Sequence, residues 1–468
     1  MDEFLMDIHT LIYKKWILMQ KSDEYDLGLK PHHEDTIIIE TDYCYGEIVF
    51  NAMNIIELSV MNTYSNEAEF YLHFQMKTMK HAIELFYEML TCIKKLVTQP
   101  VMRILLSCSG GMTTSYFAQK MNQAAQLLFM NYEADAVGYN NLFNIGHKYD
   151  VILLAPQISY MHAKVQEIFK NQIVLQIPPQ VFAKYDVGKT LSLIKEAQNK
   201  MHPHYVKEKP LPVQTDIHCH IYILSLSIFR NSERIHIAYR LYGHNNRIYL
   251  NKEIIKTQLS IKDLYDIIDT VIIQYPQIKM IGISIPGIIN NGCVTSTNIP
   301  GFDDINLKSL LSSRYHQTII LGNDVNTAAV GYYASQNAHS SLAFIFQPIR
   351  YYAGAGIIIN GQLWVGQHHL AGEVQYLPMK LSDDYMNLNQ TPEGCLQIVS
   401  QMVASIVAII SPEVIALSCE LIPHIDDLKK ELLQYLPPLY IPEIVKIDNA
   451  LEYTLLGQMI LCLQYLEE

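Results

Sequence analysis

From residue 103 to residue 199, apolar runs of strand length alternate with stretches of helical period: RILLSCSGG, TSYFAQKMNQAAQLL, YEADAVGY, VILLAPQ, SYMHAKVQEIFKN, IVLQIPP and a last helix near 188–199. A strand that is apolar throughout must be covered on both faces, and a crossover helix brings the next strand back parallel to it. The alternation predicts a four-stranded parallel sheet between helices, complete within about 95 residues.

The flanks read differently. Residues 34–98 hold short β segments (EDTIIIETD, EIVF, NIIELSVMN, EFYLHFQM) and then the amphipathic KTMKHAIELFYEMLTCIKKL, which predicts a small antiparallel sheet with one covering helix. His73 falls in an apolar strand and His81 on the helix, and both read as structural histidines rather than phosphoryl carriers. After residue 199, NKMHPHYVKEKPLPVQTD carries three prolines and several charges without a period, which marks a linker. From 216 onward, hairpin-forming runs, further β segments and long apolar helices suit a two-lobed α/β domain with a cleft. The expected fold class is α/β multidomain: a small α+β unit at 1–99, the parallel-sheet domain at 100–200, a linker at 201–215 and the two-lobed domain at 216–468.

Composition bounds the function. Of 468 residues, 50% are hydrophobic and 17% charged, enough apolar surface to offset chain entropy, so a largely disordered chain is excluded. A net charge of −12 opposes a broad phosphate-neutralising face, and direct nucleic-acid binding is not expected. The 8 cysteines include no CxxC and no even ladder of spacings, which points to reduced thiols. The opening MDEFLMDIHTLIYKKWILMQK breaks its apolar run at Lys14 and Lys15, so neither a signal peptide nor a membrane span is expected there, and the expected location is the cytoplasm.

One cysteine stands apart. Ile104-Leu105-Leu106-Ser107-Cys108-Ser109-Gly110-Gly111-Met112-Thr113-Thr114-Ser115 places Cys108 where a buried strand ends and a helix begins. The N–H groups at a helix start lack intrahelical partners and the helix dipole adds positive charge, so such a turn holds phosphate and favours thiolate over thiol. Gly110 and Gly111 let the loop curl, and the hydroxyls of Ser109, Thr113, Thr114 and Ser115 can add donors. Taken alone, an inert buried cysteine fits a strand end equally well.

The stretch CSGGMTTS, followed in order by VGY, YDVILLAPQISYM and IPPQVFAKYDVGK, resembles the IIB component of the lactose/cellobiose class of the bacterial sugar phosphotransferase system over residues 103–197. Gly110 stands where that family usually has Ala, and Thr113 where it has Ser. The resemblance implies that Cys108 accepts phosphate, cradled by residues 109–115, from a phosphohistidine on a partner IIA protein, and passes it to sugar held by a membrane IIC component. Tyrosine phosphatases share a cysteine phosphate loop but use a loop arginine, and no Arg follows Cys108 before residue 200.

Residues 281–378 resemble the ROK family of bacterial sugar kinases and sugar-responsive repressors. The matching segments are Ile283-Ser284-Ile285-Pro286-Gly287, Thr297-Asn298-Ile299-Pro300-Gly301-Phe302, Gly322-Asn323-Asp324-Val325-Asn326-Thr327-Ala328-Ala329, Gly354-Ala355-Gly356-Ile357-Ile358-Ile359-Asn360-Gly361 and Ala371-Gly372-Glu373. The resemblance implies an actin/hexokinase-like domain that contacts sugar hydroxyls through Asn298, Asn323, Asp324 and Glu373, with Asp324 as the general base. Carboxylates and amides suit vicinal hydroxyls because each can engage two.

The ATP side departs from the family. Leu224-Ser225-Leu226-Ser227-Ile228 stands about where family kinases carry Asp-x-Gly-Gly-Thr, and Arg350-Tyr351-Tyr352-Ala353-Gly354-Ala355-Gly356 replaces a glycine-rich second phosphate loop. Tyrosine side chains fill space where backbone must approach phosphate, so ATP-dependent kinase activity is not expected. The family's zinc ligands shrink to Cys395, with Tyr376 in place of the histidine, so neither metal nor cofactor is expected.

The leading reading is a cytosolic fusion: a IIB-like domain phosphorylated on Cys108 for carbohydrate transport, phosphorylation or its sensing, joined to an ATP-incompetent, sugar-binding ROK-like domain. Its expected partners are a phosphorylated IIA protein, a IIC component and a carbohydrate, with a homo-oligomer left open. Two alternatives stand beside it, a ROK-type ATP-dependent sugar kinase and a sugar-responsive regulator acting through a protein partner.

Overall fold

The computed structural model describes every residue except 1–2, 42, 64–65, 99–100, 111, 128–130, 170–171, 202–218, 231–233, 296, 337, 423 and 468. The chain forms two compact units, residues 1–50, 58–69 and 77–206, and residues 51–57, 70–76 and 207–468.

The first unit opens with α1 (Glu3–Leu18) and an antiparallel run of β1 (Asp26–Lys30), β2 (His33–Glu40) and β3 (Cys44–Asn51). Alternation of side chains turns Ile37, Ile39 and Ile48 inward. Two more strands follow, β4 (Ile55–Asn62) and β5 (Ala68–Gln75), and then α2 (Met79–Val97), which buries Leu85, Phe86, Met89 and Ile93 along one face. The N-terminal parts of β4 and the greater part of β5 belong to the second unit, unlike a free-standing domain at 1–99. Pairing decides this: Tyr71 lies opposite Ile255, and His73 Nε2 lies 2.5 Å from the Tyr239 hydroxyl. Burial, with Lys252 nearby, pushes His73 down to about 4, so it stays neutral. The His81 backbone N–H donates to the Thr78 hydroxyl that caps α2.

The alternating stretch gives β6 (Met102–Cys108), α3 (Met112–Leu127), β7 (Tyr132–Gly138), α4 (Tyr139–Ile145), β8 (Val151–Leu154), α5 (His162–Ile168), β9 (Ile173–Gln176), α6 (Pro179–Lys184) and α7 (Val187–Met201). Its four strands are all parallel in the order β7-β6-β8-β9. The uniformly apolar runs are explained by two cores. Ile104, Leu106 and Leu153 meet Phe117, Met121 and Phe182 in one, while Leu105, Ile152 and Leu154 meet Leu142, Val165 and Phe169 in the other. Most of the expected linker lies outside the described residues.

The second unit holds two lobes of one plan. The first comprises β10 (Tyr222–Arg230), β11 (Ile235–Gly243), β12 (Arg247–Lys256), α8 (Ile261–Gln274), β13 (Ile278–Ile285), the small strands β14 (Ile288–Asn290), β15 (Cys293–Thr295) and β16 (Ile305–Asn306), α9 (Leu307–Ser312), β17 (Thr318–Asn323) and α10 (Asp324–Ser335). The second comprises β18 (Leu342–Gln347), β19 (Gly354–Ile359), β20 (Gln362–Leu363), α11 (Tyr385–Leu388), α12 (Pro392–Ile410), β21 (Val414–Cys419), α13 (Ile425–Leu432) and β22 (Glu443–Lys446), and α14 (Ala450–Glu467) closes the chain. The sheet orders β12-β11-β10-β13-β17 and β20-β19-β18-β21-β22 both run antiparallel up to the central strand and parallel beyond it. Helix α12 is long and apolar enough to cross a membrane, but half of it is buried here, with Cys395, Ile398, Val399 and Met402 in the core of the second lobe.

Helices α10 and α14 touch backbone to backbone. A Cβ at Gly331 would overlap the Tyr453 carbonyl oxygen, and one at Gly457 the Thr327 carbonyl oxygen. This contact seats the helix whose first residue is Asp324. We predict that Gly457→Ala lowers stability by about 1–3 kcal/mol, because forced separation of close-packed backbones outweighs the gain of roughly 1 kcal/mol in helix propensity. Urea unfolding checks it, and an unchanged or raised midpoint would contradict the packing account.

Candidate functional site

Cys108 ends β6, the strand from which the chain turns to β7 on one side and later to β8 on the other. Such a reversal opens a crevice at the carboxyl ends of parallel strands, where ligands of α/β sheets bind. The thiol is buried, and its Sγ lies 3.3 Å from the Thr114 hydroxyl in the first turn of α3. Thr114 is itself fully buried, whereas Ser109, Gly110, Thr113 and Ser115 are exposed around the mouth. Gly138, paired with Cys108 across the sheet, leaves its missing Cβ within van der Waals reach of the 109–110 backbone. Gly111 lies outside the described residues, and Met112 is placed only as the first residue of α3. The sulfur thus sits before a sixteen-residue helix whose first N–H groups point at the loop.

In the second unit, the β17–α10 junction gathers three of the four predicted saccharide residues. Asn323 caps α10: its Oδ1 accepts from the Asn326 N–H at 2.9 Å, and its Nδ2 donates to the Gly287 carbonyl, also at 2.9 Å. One N–H and one lone pair of that amide remain for a ligand. Asp324 follows, partly exposed in a dense setting. Burial raises its carboxyl to about 7, helped by Glu373 and opposed by the backbone N–H groups of Val325 and of Asp324 itself. Burial raises Glu373 as well, against a hydrogen bond from Gln375 Nε2 at 3.1 Å. A carboxyl poised near neutrality beside a second one can act as a proton acceptor or a hydroxyl anchor.

Asn298 follows β15 in the loop that leads to β16. It is exposed, and its carbonyl accepts from Arg230 Nη1 at 3.4 Å. Sequence reasoning missed Arg230, which ends β10 with its guanidinium 5.8 Å from the Tyr351 ring, because a strand-end arginine carries no local signature. It also missed the clamp on the 347–353 loop. Gln347 and Asn389 each donate to the carbonyls of Pro348 and Tyr351, while the Tyr385 hydroxyl accepts the Ala353 N–H and donates to Gln347 Oε1. Residues 224–228, for their part, lie inside a strand paired with β11 and β13, with Leu224, Leu226 and Ile228 buried. Cys395 lies 3.4 Å from Cys419 and Tyr376 is largely exposed, a donor set that does not fit tetrahedral zinc.

Comparison with known proteins agrees with this division. Residues 103–192 match the family described as PTS system, lactose/cellobiose specific IIB subunit, and residues 234–397 match the ROK family. The chain therefore joins a IIB domain of the lactose/cellobiose type to a ROK domain. More particularly, it is 29% identical over 142 residues to the xylose repressor of Caldicellulosiruptor bescii, covering 29% of this chain and 35% of that one. It is 37% identical over 65 residues to the oligo-beta-mannoside-specific EIIB component of Bacillus subtilis, covering 14% of this chain and 63% of that one. The chain thus spans about a third of the length of the repressors it matches. Among solved structures, a ROK family protein from Streptococcus pneumoniae in complex with sucrose aligns at 20% identity and a TM-score of 0.43, over 53% of this chain and 99% of that one.

Two predictions follow from the geometry. Cys108→Ser should abolish phosphate acceptance, because a serine hydroxyl stays protonated where a helix-terminal thiol ionises; labelling retained in that variant, or found at His73 or His81, would contradict the assignment. Asp324 titrates at about 7 when folded against 3.8 as its ordinary value, so the folded state holds the extra proton between the two and stability falls as pH rises through that window. Asp324→Asn should accordingly be more stable than the native chain at pH 8 by about 1–2 kcal/mol, after allowing for partial solvation, with the gap closing towards pH 4. Urea titrations across that range check it, and a gap independent of pH would contradict it.

Proposed function

We propose that this chain is a cytoplasmic phosphocarrier of the sugar phosphotransferase type, in which Cys108 takes a phosphoryl group from a phosphohistidine on a IIA-type protein. The observation that carries this is the place of Cys108, at the carboxyl end of the strand where the order of the parallel sheet reverses, before the start of α3 and beside Thr114. In the transfer, the thiolate attacks phosphorus, the phosphorus–nitrogen bond breaks and the imidazole leaves. The loop N–H groups and hydroxyls hold the phosphoryl oxygens as charge shifts among them. Without an arginine in the loop, hydrolysis is not favoured, and the thioester of phosphate survives until a sugar on a IIC-type partner, or a signalling contact, takes it up.

The ROK unit, in this reading, binds a saccharide through Asp324, Glu373 and Asn323, with Asn298 from the loop between β15 and β16, and does not transfer phosphate from ATP. Two features support this. A continuous paired strand occupies 224–228, and the 347–353 loop spends the Ala353 N–H and its carbonyls on Tyr385, Gln347 and Asn389 rather than leaving them for phosphate. The xylose repressors among its relatives favour a sensing role for this cleft, exerted through a protein partner.

Calorimetry on the full chain with xylose, common hexoses and β-linked disaccharides tests the cleft. We expect heat with at least one of them and its loss in Asp324→Ala, with no sugar phosphate formed from ATP. Steady sugar phosphorylation by ATP alone would establish the kinase alternative instead, and silence across the panel would leave the unit a partner-binding module.

A further inference from the structure

We propose that Cys395 and Cys419 form a reversible disulfide on exposure to a hydroperoxide, and that closing it resets the 347–353 loop at the saccharide cleft. Neither part depends on the cleft's ligand. The two sulfurs are 3.4 Å apart, and both thiols are buried in one core with Ala353, Ala355, Val374 and Tyr385. They come from separate elements, Cys395 from the first turn of α12 and Cys419 from the last residue of β21. A disulfide brings sulfurs to about 2.05 Å, so oxidation closes the sulfur–sulfur gap by roughly 1.3 Å, and in a close-packed core side-chain rotation and the neighbouring helix start and strand end must share that movement.

The pair is chemically unequal. Either sulfur can donate across the 3.4 Å contact; the hydrogen bond with Cys395, the backbone N–H groups of Ile422 and Leu421 and nearby Lys446 lower the Cys419 thiol, while the hydrogen bond with Cys419 and burial raise Cys395. Cys419 is therefore the attacking sulfur. Its thiolate displaces hydroxide from hydrogen peroxide to give a sulfenic acid. Cys395 then attacks that sulfur, the S–O bond breaks, and the protons lost by the thiols leave as water. Two thiols and one peroxide yield one disulfide and two waters. A small-molecule or protein thiol reverses it.

The route to the cleft is short and made of named contacts. Tyr385 lies close enough for both thiols to act on its hydroxyl electrostatically. That hydroxyl accepts the Ala353 N–H and donates to Gln347, the two ends of the 347–353 loop. Beyond it, the Ala355 N–H donates to the Gly372 carbonyl at 2.8 Å, next to Glu373. The opposing view is two reduced thiols packed as small apolar groups.

The full chain carrying Cys108→Ser, which removes the phosphate-accepting thiol, is treated with hydrogen peroxide, blocked with N-ethylmaleimide and mapped without reduction, with amide exchange followed in parallel. We expect the Cys395 and Cys419 peptides to be joined, with two hydrogens lost, released by dithiothreitol and absent in Cys419→Ser. Amide exchange across 347–353 should shift on oxidation and return on reduction. Recovery of both peptides as maleimide adducts from folded, peroxide-treated protein would overturn the proposal, as would linkage that appears only in urea. Linkage without any change of exchange at 347–353 would overturn the switch.

Discussion

The first N–H groups of a helix have no partner within it, and both candidate sites of this chain are built on that deficit. At the β6–α3 junction the N–H groups of the helix start lie next to Cys108, whose sulfur is buried at the rim of a parallel sheet. At the β17–α10 junction they face Asp324, while Asn323 takes up the Asn326 N–H and fixes the turn. One backbone device thus serves two chemistries, chosen by the side chain placed before or at the helix start. A soft nucleophile there favours a covalent phosphoryl bond, and a carboxyl beside a second carboxyl favours sugar hydroxyls.

What surrounds the junctions decides how far each chemistry runs. Around Cys108 the donors are hydroxyls and backbone groups, with no cation in the loop to drive hydrolysis. Around Asp324 the contacts that would have to open for a nucleotide are already satisfied internally. The 347–353 loop is clamped by Gln347, Tyr385 and Asn389, and Arg230 occupies the gap between the Asn298 carbonyl and the Tyr351 ring. In the reading proposed above, these hydrogen bonds, at about 1 kcal/mol each, would have to break before the 347–353 backbone could receive phosphate.

The sequence is most legible where physics is local. The four parallel strands can be read because each run is apolar on both faces, and Cys108 because a strand, two glycines and a helix start are contiguous. Non-local pairing is not legible. Residues 51–57 and 70–76 group with a unit that begins over a hundred residues later, through contacts such as Tyr71 opposite Ile255 and His73 beside Tyr239. The shared plan of the two lobes is carried by strand order and direction, and no sequence period announces it. Asn323, Asp324 and Glu373 can be picked out from the sequence by resemblance, but the pairing of Asn298 with Arg230, and of Cys395 with Cys419 at a separation of 24 residues, depends on where β10 and β21 end and α12 begins.

The central claim is that phosphate enters this chain at sulfur and from a protein donor. Phosphorus NMR on the intact chain, first with a phosphohistidine IIA protein regenerated from phosphoenolpyruvate and then with ATP and a saccharide, separates the two entry routes. The account predicts a phosphothioester resonance with the protein donor, assigned to Cys108 by its coupling to the adjacent β protons, and no new phosphate ester with ATP. A phosphoramidate resonance on this chain, or a sugar phosphate that accumulates with ATP alone, would contradict it.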